Sequence, residues 1–140
     1  MFSIREATPY DNPDLSHIYW TCSQQADWLP SSAKNQVDFA RDTEGEIIWV
    51  AVDCNGQVLG FVSIWRPDSF VHHLYIAPSA QGQGIGSALL ASLTECIPRP
   101  WRLKCVQSNT IALTFYQKQG WKKVGDGHSP TGDYWLLELA

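Results

Sequence analysis

Leu74-Tyr75-Ile76-Ala77-Pro78-Ser79-Ala80-Gln81-Gly82-Gln83-Gly84-Ile85-Gly86-Ser87 decides how the chain is read. An apolar run stops at Pro78, three glycines follow at alternate positions, and Ile85, Leu89, Leu90 and Leu93 then fall on one helical face. A strand therefore runs into a glycine-rich loop, and the loop opens a helix. Backbone N–H groups at a helix N-terminus point the same way and carry partial positive charge, so such a loop makes a nest for phosphate oxygens. A Cβ there blocks close approach of a pyrophosphate, which gives glycine its purpose. A plain glycine-rich turn is the other reading of the same residues.

Three phosphate-binding patterns compete for the loop. The P-loop needs a Lys directly after its last glycine, and Gly86 is followed by Ser87. The dinucleotide fingerprint G-x-G-x-x-G has its third glycine one residue later than Gly86. It also wants an acidic residue after a second strand, whereas Glu95 falls inside the helix. What remains is Q/R-x-x-G-x-G/A, filled by Gln81, Gly84 and Gly86.

Outward from the loop, Phe2–Arg5 alternates as a short strand, and Asn12 caps a helix with Pro13 at its first position and an end near Ala26. A second short helix is expected over Ala33–Ala40. Ile47–Val52 and Gln57–Trp65 read as strands joined through Asn55-Gly56, a pair suited to a hairpin turn. Phe70–Ile76 is a strand, and the helix behind the loop reaches about Ile97. A strand over Trp101–Val106, a helix over Thr110–Gln119 and a strand over Trp121–Val124 follow. Gly125–Gly132 reads as a polar loop, and a last strand covers Tyr134–Leu139. The order β-α-α-β-β-β-α-β-α-β-β implies an α/β protein with a mixed sheet and helices on both faces.

The 140 residues suit one domain over 1–140, and no repeat or linker divides them. A formal net charge of −4 with no Lys/Arg cluster argues against a nucleic-acid partner. Asp38, Asp42, Glu44 and Glu46 form the densest acidic stretch, read as a solvated face or as a rim that attracts a cationic amine. No run approaches 18 apolar residues, so no membrane span is expected. The four cysteines match no common zinc spacing, so no metal is expected. With no leader-like N-terminal pattern, they read as reduced thiols of a cytoplasmic protein.

Two further blocks agree with the loop. Leu74-Tyr75-Ile76-Ala77-Pro78 resembles the fourth strand of the GCN5-related N-acetyltransferase (GNAT) superfamily. Asn109-Thr110-Ile111-Ala112-Leu113-Thr114-Phe115-Tyr116-Gln117-Lys118-Gln119-Gly120-Trp121 resembles that family's N-x-x-A-x-x-F-Y-x-x-x-G-F block, with Trp121 in place of the usual Phe. The likeness is close over residues 70–120 and extends loosely to the topology.

The resemblance implies a GNAT-like fold and transfer of an acetyl group from acetyl-CoA to a primary amine in a ternary complex. It implies a cofactor site at Leu74, Tyr75, Ile76, Gln81, Gly82, Gln83, Gly84, Ile85, Gly86, Ser87, Asn109 and Tyr116. In the family the fourth and fifth strands splay, and main-chain groups such as those of Leu74 and Ile76 hold the pantetheine arm, with the Ile76 amide as candidate oxyanion donor. Tyr116 is the candidate general acid, since a phenol of pKa about 10 protonates a thiolate of pKa about 8.5 only slightly uphill. Core packing is its other reading. Asn109 lies two helical turns earlier and shares its face.

The base is open. Candidates are His72, His73, Glu44, Glu46 and a water chain, and strict alternation puts His72 on the face of Leu74 and Ile76. Trp20, Trp28, Trp65 and Tyr134 are expected either in the core or around the acceptor. A non-catalytic acyl-CoA-binding or regulatory module is the competing function, and homodimerisation is an expectation from the family.

Overall fold

β-Branched and aromatic residues dominate the chain between 47 and 76, and they build the middle of a seven-stranded sheet. The computed structural model describes residues 1–140. Its strands are β1 (Phe2–Glu6), β2 (Ile47–Asp53), β3 (Val58–Trp65), β4 (Phe70–Ile76), β5 (Trp101–Val106), β6 (Lys122–Ser129) and β7 (Gly132–Leu139). Its helices are α1 (Asn12–Gln24), α2 (Ser31–Lys34), α3 (Phe39–Asp42), α4 (Ile85–Ser92) and α5 (Thr110–Lys118). The strand order is β1-β2-β3-β4-β5-β7-β6, antiparallel throughout except between β4 and β5. The mixed α/β sheet read from the sequence is the sheet observed.

Residues of β2 and β3 alternate between two cores. Ala51, Val62 and Ile64 face Ile85, Leu89 and Leu93, with Trp101, Leu103 and Leu137 alongside. Val50, Val52, Val58 and Phe61 face Leu15, Ile18, Tyr19 and Phe39. Leu15, Leu89 and Leu93 are fully buried, and each contributes on the order of 2 kcal/mol by leaving water. The sheet is thus pinned on both faces, so β4 has a fixed position between them.

Several local expectations change. Asn12 is the first helical residue (φ −54°, ψ −41°) rather than a cap. Asp11 takes the cap position without bonding an α1 amide; its carboxylate accepts from the Thr8 N–H at 2.8 Å and from both Arg5 guanidinium nitrogens at 2.8 and 2.9 Å, bracing the turn before α1. The single helix expected over Ala33–Ala40 is two four-residue helices, the second capped by Asp38, whose Oδ1 accepts from the Arg41 N–H at 3.2 Å.

The loop expected over Gly125–Gly132 is mostly strand. β6 runs to Ser129 and pairs with β7 in sequence-adjacent register. Glycines and polar residues there have poor strand propensity, but pairing and packing override it. Gly127 lies under the Tyr134 ring, with the phenol Cζ 2.6 Å from where a Cβ would sit, so only glycine admits this contact. No helix is long and apolar enough to cross a membrane.

Candidate active site

β4 and β5 share one register pair, Phe70 with Arg102, and then diverge. The gap widens toward Leu74 and Ile76. The Ala77 amide donates to the Leu59 carbonyl of β3 at 2.8 Å. Amides alternate along a strand, so those of Ile76 and Leu74 point away from β3, into the gap. Gly60 makes this pairing tight: a Cβ at 60 would sit 2.8 Å from the Tyr75 carbonyl oxygen and 3.2 Å from the Ile76 Cα.

The gap opens into a cleft of about 910 Å³. Leu74, Tyr75 and Ile76 form its floor, and Gln81, Gly82, Gly84, Ile85, Gly86 and Ser87 form its rim. Asn109, Phe115 and Tyr116 enclose it on the α5 side, and Cys22, Asp27 and Trp28 on the α1 side. Of the residues assigned to the cofactor, Gln83 alone does not line this cleft.

The loop has the properties of an anion nest. Gly82 and Gly84 adopt φ +81° and +79°, and an added Cβ on either meets nothing within 4 Å, so both face open space. The first helical bond of α4 is donated by Ala88 to the Gly84 carbonyl at 3.1 Å; the amides of residues 82–87 have no backbone acceptor. Exposed amides at an eight-residue helix N-terminus, beside a cleft, are what a pyrophosphate requires. Gly86 differs, since a Cβ there would sit 3.3 Å from the Phe115 ring. Its small size lets α4 approach α5, and Gln119 ties the two together by donating to Ser87 Oγ at 3.0 Å. The Gln81 side chain donates to the Ile76 carbonyl at 3.2 Å, bracing the loop on β4.

Asn109 caps α5, its Oδ1 accepting from the Ala112 N–H at 3.3 Å. Tyr116 packs edge-on against Phe115 and Trp121, with ring centroids 5.3 and 5.7 Å away. Its hydroxyl has no protein partner among the hydrogen bonds. Burial, with smaller contributions from Cys105 and Tyr75, pushes its pKa far above the ordinary phenol value. Tyr116 therefore stays protonated. A donated hydrogen bond suits it better than the near-level proton transfer expected from an unperturbed phenol. Burial also raises the Tyr75 phenol to about 12 and the Cys22 thiol to about 11. Cys22 donates to the Ile76 carbonyl at 3.3 Å and is no nucleophile.

The face expected for His72 is corrected. In the β3–β4 ladder Ser63 pairs with His73 and Ile64 with Val71, which leaves His72 as the extra residue of a β-bulge. Alternation slips by one there. The His72 and His73 rings lie side by side, tilted by 32° with centroids 4.5 Å apart, and His73 meets Tyr19 at 5.3 Å on the α1 side. Leu74 and Ile76 pack against the opposite core. His72 is thus across the sheet from them and outside the large cleft, in a pocket of about 280 Å³ with Glu46, Trp65, Asp68 and Phe70.

His72 Nδ1 is hydrogen-bonded to Glu46 Oε2, and Ser63 Oγ donates to Glu46 Oε1 at 2.8 Å. The Glu46 carboxylate raises the His72 pKa above its ordinary value, against burial, which lowers it. Burial pushes Glu46 up, but its bonds from His72 and Ser63 outweigh that and hold it low. His73 is kept neutral by burial first and by the neighbouring His72 charge second. Glu44 stays exposed and outside both pockets.

The four aromatic acceptor candidates do not converge. Trp28 lines the cleft, Trp65 the small pocket, Trp20 is 55% exposed on α1, and Tyr134 sits over Gly127 with Lys104 4.9 Å from its ring. The reading missed Tyr19, whose hydroxyl donates to Asp42 at 2.7 Å beside His73. Its helical spacing marked it only as core.

A diverged strand pair, an open amide nest and a buried tyrosine at one cleft define an acyl-CoA-dependent transferase. The family model for the acetyltransferase (GNAT) domain matches residues 44–123. A peptidyl-lysine N-acetyltransferase, YiaC of Escherichia coli K12, is 31% identical over 82% of this chain and 69% of its own length. An L-methionine sulfoximine/L-methionine sulfone acetyltransferase of Pseudomonas paraeruginosa is 35% identical over 66% of this chain and 62% of its own. Among solved structures, apo YjaB from E. coli superposes with a TM-score of 0.83 over 99% of this chain and 97% of that one, at 23% identity. The structure of yncA from Salmonella typhimurium with its cofactor acetyl-CoA gives 0.74 over 99% and 93%, at 21% identity. The chain belongs to the GNAT superfamily. It is an N-acetyltransferase that takes acetyl-CoA as co-substrate.

Proposed function

We propose that this enzyme acetylates a primary amine carried on a cationic acceptor, a lysine side chain being the type. The supporting observation is the gap between β4 and β5, with amides aimed into it and Tyr116 at its wall. In this reading the amides of residues 82–87 bind the pyrophosphate, and Leu74 and Ile76 main-chain groups hold the arm. The Ile76 amide donates to the carbonyl oxygen where negative charge develops. The Tyr116 hydroxyl donates to the departing sulfur.

The acceptor approaches from the α1–α3 side, where Asp42, Glu46 and Asp68 favour a positively charged molecule. Such an amine arrives as an ammonium and must lose a proton to attack. His72, oriented by Glu46, takes that proton. It stands four residues from the Ile76 amide, about 13 Å along the strand, so the proton reaches it through a chain of several waters. We further assign the chain to the cytoplasm, as one catalytic unit that pairs with a second copy.

Steady-state turnover with a lysine-containing peptide and with methionine sulfoximine tests the acceptor. Preference for the peptide supports the reading, and preference for the amino acid overturns it. Tyr116→Phe removes one hydrogen bond to a developing charge, so it is expected to lower kcat by about ten- to a hundredfold with little change in acetyl-CoA affinity. Unchanged kcat removes Tyr116 from the mechanism.

A further inference from the structure

Adjacent residues on a strand normally point to opposite faces and cannot serve one ligand. The bulge at His72 removes that obstacle, since both imidazoles lie on the α1–α3 side with centroids 4.5 Å apart. The donor atoms of Glu46, His72 and His73 all lie within 4.8 Å of one another. We propose that these three residues bind a divalent transition-metal ion of the zinc class, and that its occupancy inhibits the enzyme.

Two of the three groups already have the outer support that metal ligands carry. His73 Nε2 faces the Asp42 carbonyl at 3.3 Å, which fixes the ring and leaves Nδ1 as the ligating nitrogen. Ser63 Oγ holds Glu46 Oε1 at 2.8 Å and leaves Oε2 toward His72. Two imidazoles and a carboxylate suit zinc and its neighbours better than magnesium or calcium, which prefer all-oxygen shells. Zinc bonds of about 2.1 Å place tetrahedral donors about 3.4 Å apart, so the ion takes the place of the hydrogen bond between His72 and Glu46, and a small side-chain rotation draws in the remaining donor. His72, with half its side chain exposed, has the freedom to make it. The small pocket beside Glu46 and His72 gives the ion a way in and leaves a coordination position for water.

A bound ion occupies the His72 lone pair, so no proton can be taken there. The inhibition rests on the base role of His72 given above; the binding does not. Chelator-treated enzyme is titrated with zinc chloride by calorimetry and with cobalt(II) chloride by absorption. One ion per chain is expected, without the thiolate charge-transfer band that the free cysteines would produce. Affinity is expected to fall at least tenfold in both His73→Gln and Glu46→Gln. His73→Gln, folded by circular dichroism, is expected to keep its zinc-free turnover and to resist zinc that inhibits the native enzyme. Inhibition is expected to reverse with EDTA. Equal zinc affinity in all three proteins, or a cobalt thiolate band, overturns the site. Binding at the site without inhibition supports the site, overturns the inhibition and removes His72 from the base role.

Discussion

Replacing Gly84 by Asp perturbs the nest with little harm to the fold. Gly84 has φ +79° and an added Cβ meets nothing within 4 Å, so the structural cost is left-handed strain alone, about 1 kcal/mol. Asp tolerates that region better than most residues. The expected fall in Tm is about 4 °C. Binding suffers more. A carboxylate about 5 Å from one phosphate charge, at an effective dielectric of about 20, is repelled by about 3 kcal/mol. That alone weakens acetyl-CoA binding by on the order of a hundredfold, and steric blockage adds to it. Gly56→Asp is the control: it shares the strain, at φ +80° with nothing within 4 Å, but lies in the β2–β3 turn, outside the cleft. Calorimetric titration with acetyl-CoA reads both, and the Gly84→Asp deficit shrinks in high salt. Binding by Gly84→Asp within threefold of the native enzyme, or equal losses in the two variants, refutes the assignment of the loop to the pyrophosphate.

Three other variants test particular contacts. Glu46→Gln removes the partner that raises His72, so the ascending limb of the kcat/KM pH profile moves to lower pH; an unmoved limb excludes His72 as the titrating base. The same pair stabilises the fold while both partners are charged, between the unfolded values of 4.5 for Glu46 and 6.5 for His72. The raised His72 loses its contribution as pH climbs through its folded pKa, and the lowered Glu46 loses its own as pH falls through its folded pKa. The native–variant difference in urea midpoint is therefore largest inside that window. Gly60→Ala drives a methyl into the Tyr75 carbonyl and Ile76, costing about 1–3 kcal/mol of stability; because it shifts β4, it also raises the KM for acetyl-CoA. Asn109→Ala removes the α5 cap and costs about 1 kcal/mol by denaturant unfolding.

How much was legible depends on the range over which each feature is specified. The large cleft was readable because its lining is local: the strand, the glycines at 82, 84 and 86 and the helix behind them are contiguous, and Asn109 caps the short helix that carries Tyr116. β6 was not readable, because Gly125–His128 become strand only through pairing with β7 and through the Tyr134 ring that covers Gly127. The helices before β2 were blurred for a related reason: α3 rests on Asp38 capping and on Phe39 packing on Phe61, and α2 is held through Gln24 and Lys34, each donating to the other's carbonyl.

The face of His72 was the deepest miss, and it turned on one residue. Period-two alternation over Val71-His72-His73-Leu74 gives every side chain a face, and all four assignments depend on no residue being inserted. The bulge inserts one, and nothing in Val-His-His-Leu announces it, because an extra residue in β4 is defined only against Ser63 and Ile64 of β3. Its consequence is chemical. An unbulged strand would send His72 into the α4 core beside Leu74, where burial would keep the imidazole neutral and leave it a poor base. The bulged strand turns it toward Glu46, whose carboxylate makes it more basic, on the side of the sheet from which the acceptor is proposed to approach.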